Sequence, residues 1–121
     1  MLACVLLGMI IGTVTEITAR TARLWLYRRP YTPVVNVIGM FGLIMGGLAA
    51  AVGHLGTAVT FGFAAAIGLA YELANLFILD WWYFPDQRMA VVRGHTGIVL
   101  TLTLTWGLVP LLIAAVRGTW G

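Results

Sequence analysis

Long stretches without any charged side chain most constrain what this chain can fold into. Residues 30–71 contain no Asp, Glu, Lys or Arg, and neither do residues 94–116. A helix needs about 20 apolar residues to cross a bilayer, so the first stretch is long enough for two spans and the second for one. The apolar segment that begins at Met1 supplies another span. The sequence therefore predicts four transmembrane helices.

The ends of these helices are predicted from glycines, prolines and charges. The Gly-rich segment 53–57 is expected to form a tight turn that divides the longest apolar stretch. The chain, 1–121, is then a single transmembrane domain, an all-α integral membrane helix bundle. Its helices are expected near 2–26, 34–53, 58–79 and 96–116.

The composition excludes a soluble domain and several functional classes. The chain is 61% hydrophobic and 9% charged, with a mean hydropathy of +0.99, whereas globular domains carry about 25% charged residues. Its net charge of +3 comes entirely from arginine and forms no basic face that could follow a nucleic acid. The lone Cys4 and two histidines give no metal-ligand spacing, and no nucleophile is paired with a base. A non-enzymatic protein is expected, with the lipid bilayer as its first partner.

The distribution of arginine predicts the orientation. Four arginines precede the second predicted helix, two precede the fourth, and the turn between the second and third helices has none. By the positive-inside rule, loops one and three face the cytoplasm and both termini face outward, in an inner (cytoplasmic) membrane. Arg117, at the other end, opposes this orientation.

A shift of 56 residues aligns two parts of the chain. The shared pattern predicts an internal duplication with units of about 6–53 and 62–116. Because each unit holds two helices, both copies have the same orientation, a parallel 2+2 repeat. The matched pairs are Ile11 with Ile67, Gly12 with Gly68, Glu16 with Glu72, Trp25 with Trp81, and Tyr27 with Tyr83.

The two intramembrane glutamates are the candidate site. Glu16 has Arg20 at i+4 and Arg23 at i+7 on the same helix face, whereas Glu72 has Asn75 at i+3 and no neighbouring cation. We expect Glu72 to take Arg20 or Arg23 as its partner. Two interpretations remain open: interhelical ion pairs that fix helix register, and a proton- or cation-coupling site in which the carboxylates exchange partners.

Aromatic and basic residues cluster where the two loops meet the membrane. They are typical of an interfacial belt, and the alternative is a docking surface for a partner. His54 follows Ala50 by four residues, a spacing compatible with a ligand to a chlorophyll-type pigment, and the alternative is a turn residue. The clustered residues are Trp25, Tyr27, Arg28, Arg29, Trp81, Trp82 and Tyr83.

The chain length, the four short helices and the glutamate in the first helix are similar to those of small multidrug resistance transporters. The second glutamate and the strong arginine asymmetry depart from that family, so no family is assigned. We expect an accessory subunit of a larger membrane complex, bioenergetic or photosynthetic, bound to other subunits or to itself. The alternative is a small proton- or ion-coupled transporter or channel that uses Glu16 and Glu72. No cofactor is required by the sequence, although a bound lipid or pigment is compatible with it.

Overall fold

The described part of the chain has four helices long and apolar enough to cross a membrane, which confirms the predicted multi-pass helical architecture. The computed structural model describes residues 1–120 and the side chains of residues 1–118. Short two-residue strands lie between the helices. The order is α1 (Leu2–Ala22), β1 (Leu26–Tyr27), α2 (Thr32–Leu55), α3 (Thr57–Leu79), β2 (Trp82–Tyr83), β3 (Arg88–Met89), β4 (Val92–Arg93) and α4 (His95–Trp120).

The first helix ends four residues earlier than the sequence predicted. Arg23 adopts a left-handed conformation with φ 52°, and its N–H donates to the carbonyls of Ala19 and Arg20. This C-cap geometry stops the helix and turns the chain back toward the bundle. As a result, β1 and the side chains of Trp25 and Tyr27 lie beside α1 instead of extending it.

Two segments of the bundle are π-helical. Residues Asn36–Gly46 form the middle of α2, and Asn75–Leu79 form the last turn of α3. Single-turn π segments often mark functional sites, and an eleven-residue π segment is unusually long. Each segment begins at a buried asparagine that hydrogen-bonds through its side chain, so the wide turns accompany polar contacts inside the bundle.

The bundle consists of two helix pairs, α1 with α2 and α3 with α4. Glycines allow close approach in both pairs. A Cβ atom on Gly46 would lie 2.6 Å from the carbonyl oxygen of Cys4 and 2.7 Å from the Cα of Val5. The core between the pairs is apolar and contains Cys4, Met40, Phe41, Met45, Ala49, Ala64, Trp106, Val109 and Ile113.

A short antiparallel ladder joins the two helix pairs at the arginine-rich end. In it, Leu26 faces Tyr83 and Tyr27 faces Trp82. The N–H of Arg28 extends the ladder by donating to the carbonyl of Trp81 at 2.9 Å. The ladder therefore holds the connection after α1 against the connection after α3.

Gly46→Ala should destabilise the fold, because the new methyl group would meet the backbone of α1 and not a flexible side chain. Overpacking of this kind costs about 1–3 kcal/mol in free energy of unfolding. Thermal unfolding of the purified protein in detergent measures the effect. Gly47→Ala is the matched control, since nothing lies within 4 Å of its Cβ position. Equal stability of the two variants would contradict the close α1–α2 contact.

Candidate functional site

Glu16 is buried near the arginine-rich end of α1, with 8% of its surface exposed. Its Oε1 accepts hydrogen bonds from the Tyr27 hydroxyl at 2.6 Å and from Asn36 Nδ2 at 2.7 Å. The indole N–H of Trp25 donates to Oε2 at 3.4 Å. Hydrogen bonds to a charged acceptor are the stronger kind, so three neutral donors take the place that a cation would occupy.

The Glu16 network extends across the bundle to the second helix pair. The Tyr71 hydroxyl, on α3, donates to Asn36 Oδ1 at 3.1 Å. The Asn36 amide oxygen accepts from Tyr71, and its nitrogen donates to Glu16. These two partners define the orientation of the Asn36 side chain. The network therefore joins α1, α2 and α3 through side chains alone.

Tyr27 is the strongest neutral donor to Glu16 and remains a donor well into the alkaline range. Burial, together with the negative charge of Glu16, raises the pKa of the Tyr27 phenol well above its usual value of about 10. The phenol therefore keeps its proton, and the short hydrogen bond to Glu16 is retained.

Glu72 is more deeply buried than Glu16, with 4% of its surface exposed. The indole N–H of Trp106, on α4, donates to Oε1 at 2.9 Å, and the Trp82 indole faces the same carboxylate. Gly68, one turn before Glu72, leaves room for Trp106, because a Cβ atom there would overlap the indole ring. Among residues 1–118, the side-chain donors around Glu72 are thus two indoles.

The predicted ion pairs of the glutamates are not formed in the part of the chain that the structure describes. Arg20 and Arg23 are exposed, and the single ion pair of residues 1–118 joins Arg28 to Asp80 at 3.1 Å. The physical reason is that neutral donors already satisfy both carboxylates, whereas a buried guanidinium would have to leave water. Within residues 1–118, the partners of the two glutamate carboxylates are therefore neutral donors and not arginines.

The Asn75 side chain hydrogen-bonds to the chain that follows α3 and not to the Glu72 carboxylate, while its backbone N–H donates to the Glu72 carbonyl. Its Oδ1 accepts from the N–H groups of Trp81 and Trp82 at 2.7 and 3.2 Å, and its Nδ2 donates to the Trp82 carbonyl at 3.0 Å. This turn gives β2 its position in the ladder. Asn75 thus supports Trp82, which in turn faces Glu72.

The predicted aromatic and basic cluster divides into two groups. Trp25, Tyr27 and Trp82 point into the bundle, and Trp82 is only 5% exposed. The outer group comprises Trp81, Tyr83, Arg28 and Arg29, which are exposed. Arg28 lies over the Tyr83 ring at 4.4 Å from its centroid. His54 lies apart from the cluster, exposed in the turn between α2 and α3 at the opposite end of the bundle.

Each glutamate lines a cavity at the arginine-rich end. The Glu16 cavity has a volume of about 470 Å³ and also contains Arg20 and Arg29, which gives its charged side chains a net formal charge of +1. The Glu72 cavity, of about 250 Å³, also contains Asp80 and Arg28, and the formal charges of its Asp, Glu and Arg side chains sum to −1. Each cavity therefore has its own buried carboxylate, but the net formal charge is positive in the Glu16 cavity and negative in the Glu72 cavity.

A third and smaller cavity, of about 30 Å³, lies between the two sites. Its walls include Glu72 and three donors of the Glu16 network, Trp25, Tyr27 and Asn36. Trp106 and Phe41 cover it with rings whose centroids are 4.7 Å apart. Glu72 is thus separated from the Glu16 network by little more than an aromatic layer.

Asn36, Tyr71 and Trp106 are members of the site that were not predicted from the sequence. Trp106 carried a usable signal, because tryptophan concentrates at the membrane surface and one in the middle of a span needs a partner for its N–H. Asn36, a polar residue within an apolar stretch, carried another. Neither signal identifies which glutamate Asn36 or Trp106 contacts, since both contacts join different helices.

No protein-family model, curated protein or solved structure matches this chain.

Tyr27→Phe should weaken the fold and also change how its stability depends on pH. The variant loses a hydrogen bond to a carboxylate, about 1–3 kcal/mol in free energy of unfolding. Because the pKa of Tyr27 is raised in the folded state, its contribution is complete below a pH of about 10 and is lost as the pH rises above that value. Unfolding in detergent at pH 8 and pH 11 measures both effects.

The exposed Tyr31 provides the control for this experiment. Tyr31→Phe should keep both the stability and the alkaline loss of stability of the unmodified protein. If Tyr27→Phe and Tyr31→Phe lose the same stability between pH 8 and pH 11, the buried phenol does not have the role described.

Proposed function

We propose that the protein is a small proton- or cation-coupled membrane transporter in which Glu72 is the coupling carboxylate. The observation that carries the proposal is the setting of Glu72, which is buried among indoles, lacks a cation partner in residues 1–118 and lines a cavity at the arginine-rich end. Ionisable groups within a membrane span are costly, and such groups commonly mark ion pathways and proton relays.

The two glutamates have different roles in this proposal. Three donors hold Glu16, and each of them lies within residues 25–36, so Glu16 anchors α1 to the segment that follows it. Glu72 has a single close donor, Trp106, and its cavity carries a net negative charge. A proton or a small cation that enters this cavity neutralises the charge of the carboxylate without displacing an arginine.

The parallel repeat gives this transporter its architecture. Suppose that a two-fold axis relates each residue to its counterpart 56 positions later. In an antiparallel strand pair across that axis, Leu26 must then face the counterpart of Tyr27, and Tyr27 must face the counterpart of Leu26. These counterparts are Tyr83 and Trp82, and the ladder has this register. The two aligned glycines also have similar neighbours, because Phe41 lies at Gly12, Trp106 lies at Gly68, and the two rings meet. Phe41 and Trp106 are 65 residues apart, so the shift of 56 does not extend to this contact.

We place the arginine-rich end on the cytoplasmic side of the inner membrane, with both termini outside. Six arginines at this end, five in the two connections and Arg20 in the last turn of α1, support that orientation by the positive-inside rule, against Arg117 at the other end. The cavities that contain Glu16 and Glu72 then open toward the cytoplasm.

A second candidate function, an accessory subunit of a larger membrane complex, is favoured by the hairpin of β3 and β4. Its tip residue Val91 is 89% exposed and lies outside the spans. An apolar side chain at the tip of a connection fits a contact with another subunit or with a second copy. Gentle purification followed by identification of stoichiometric partner chains distinguishes this function from transport by the chain itself.

Val91→Cys tests the orientation. In a Cys4→Ala background, a membrane-impermeant maleimide should label Val91→Cys only after inside-out vesicles are prepared or the membrane is permeabilised. The high exposure of Val91 makes the new thiol reactive wherever the hairpin faces water. His54→Cys, in the opposite turn, should show the reverse accessibility. Labelling of Val91→Cys in intact cells would place the arginine-rich end outside.

Glu72→Gln should abolish coupled transport, because the amide cannot take up a proton or neutralise a cation. The protein is reconstituted in liposomes, and separate gradients of Na⁺, K⁺ and guanidinium are imposed while an entrapped dye reports the internal pH. We expect pH changes above those of empty liposomes, and a reduction of roughly tenfold or more in Glu72→Gln.

Asp86→Asn provides the matched control, since it removes an exposed carboxylate at the same end of the molecule that does not line the Glu72 cavity. It should retain at least half of the flux. Thermal unfolding of each variant shows whether the fold is intact. Transport by folded Glu72→Gln at the level of the unmodified protein would overturn the role of Glu72.

A further inference from the structure

We infer that the Glu16 cavity binds the phosphodiester headgroup of an anionic lipid through Arg20 and Arg29. Both guanidiniums line this cavity of about 470 Å³, and neither has an ion-pair partner in residues 1–118. Small-molecule sites commonly have volumes of about 300–1,000 Å³. Arginine presents paired N–H donors that match a phosphate, and basic pockets between helices at the cytoplasmic surface suit anionic headgroups.

The negative charge already in this cavity is outweighed by its two arginines. Glu16 lies at the wall with its carboxylate occupied by Trp25, Tyr27 and Asn36, while the two arginines are exposed. The charged side chains of the cavity sum to +1, which a phosphodiester would neutralise. The cavity can therefore accept an anion near its arginines without moving the buried network.

The walls of the cavity fit a lipid better than a free anion. Ile17, Leu26, Pro30 and Pro33 supply apolar surface, and Tyr83 closes one side. The α2 helix begins beside this wall and has no acidic residue in its first turn, so its positive dipole end is not compensated there. A phosphate flanked by glycerol and acyl chains uses both the basic and the apolar parts of the site.

The aligned cavity in the second half of the chain provides an internal comparison. A shift of 56 residues places Leu76 at the position of Arg20, and Leu76 lines the Glu72 cavity. The arginine in that cavity, Arg28, is paired with Asp80. Among the described residues, the second cavity therefore has no unpaired arginine, and the lipid site is confined to the first half.

The test measures lipid retention in mixed micelles. The purified protein is exchanged into detergent with equal amounts of phosphatidylglycerol and phosphatidylcholine, and bound lipid is counted by native mass spectrometry. We expect one phosphatidylglycerol to be retained preferentially, with at least a fivefold loss of that preference in the double variant Arg20→Gln/Arg29→Gln.

Arg88→Gln/Arg93→Gln removes the same charge at the same end of the molecule but outside the cavity, and it should retain the preference. Equal loss in both double variants would overturn the site in favour of diffuse charge attraction, and no preference in the unmodified protein would overturn it altogether. A third arm adds inorganic phosphate to delipidated protein. Stabilisation against heat by millimolar phosphate, equal to that by phosphatidylglycerol, would replace the lipid with a free anion.

This inference and the proposed transport function can fail separately. Lipid retention is measured without any gradient, and it involves neither Glu72 nor Asp86. Loss of flux in Glu72→Gln together with unchanged lipid binding in Arg20→Gln/Arg29→Gln would refute the lipid site alone.

Discussion

The structure depends on how a carboxylate is stabilised inside a membrane without a cation. A charged side chain at the bilayer centre costs about 2.5–3.5 kcal/mol on insertion scales, and an unsatisfied one costs more. Here the compensating groups are neutral donors: a phenol, an amide and an indole at Glu16, and indoles at Glu72. These donors determine which helix faces turn inward, where a glycine is needed to leave room for a donor side chain, and where the connections re-enter the bundle.

The same sequence pattern produces two different environments. In the first half, the Trp25 and Tyr27 side chains reach back to Glu16. In the second half, the aligned Trp81 and Tyr83 are exposed, and Trp82 and Trp106 take their place at the carboxylate. Asn75 accounts for part of the difference, because it holds the N–H groups of Trp81 and Trp82 and so orients the strand. Glu16 thus has three hydrogen-bond donors, whereas Glu72 has one close donor and a second indole that faces it.

The number of helices could be predicted from sequence because it depends on the lengths of apolar runs, which are local. The end of α1 could not, since the left-handed conformation of Arg23 is not a property of arginine itself. The ion-pair hypothesis for Glu16 used helical spacing correctly but weighed only charged partners. The true partners include Asn36, 20 residues away, and Trp106 lies 34 residues from Glu72. Contacts between helices at such separations depend on crossing geometry and on π-helical turns, which hydropathy does not encode.

The hydrogen bonds of each glutamate lie within its own half of the chain, and this bears on how the protein is made. Glu16 is satisfied by residues 25–36, and the donors of Glu72 all lie between residues 82 and 106. Synthesis proceeds from the N-terminus, so the first helical hairpin can enter the lipid with its carboxylate already provided for. The same holds for the second hairpin. Two contacts then form when the completed hairpins dock: the ladder between Tyr27 and Trp82, and the hydrogen bond from Tyr71 to Asn36. Neither hairpin therefore has an unsatisfied carboxylate in the bilayer before docking.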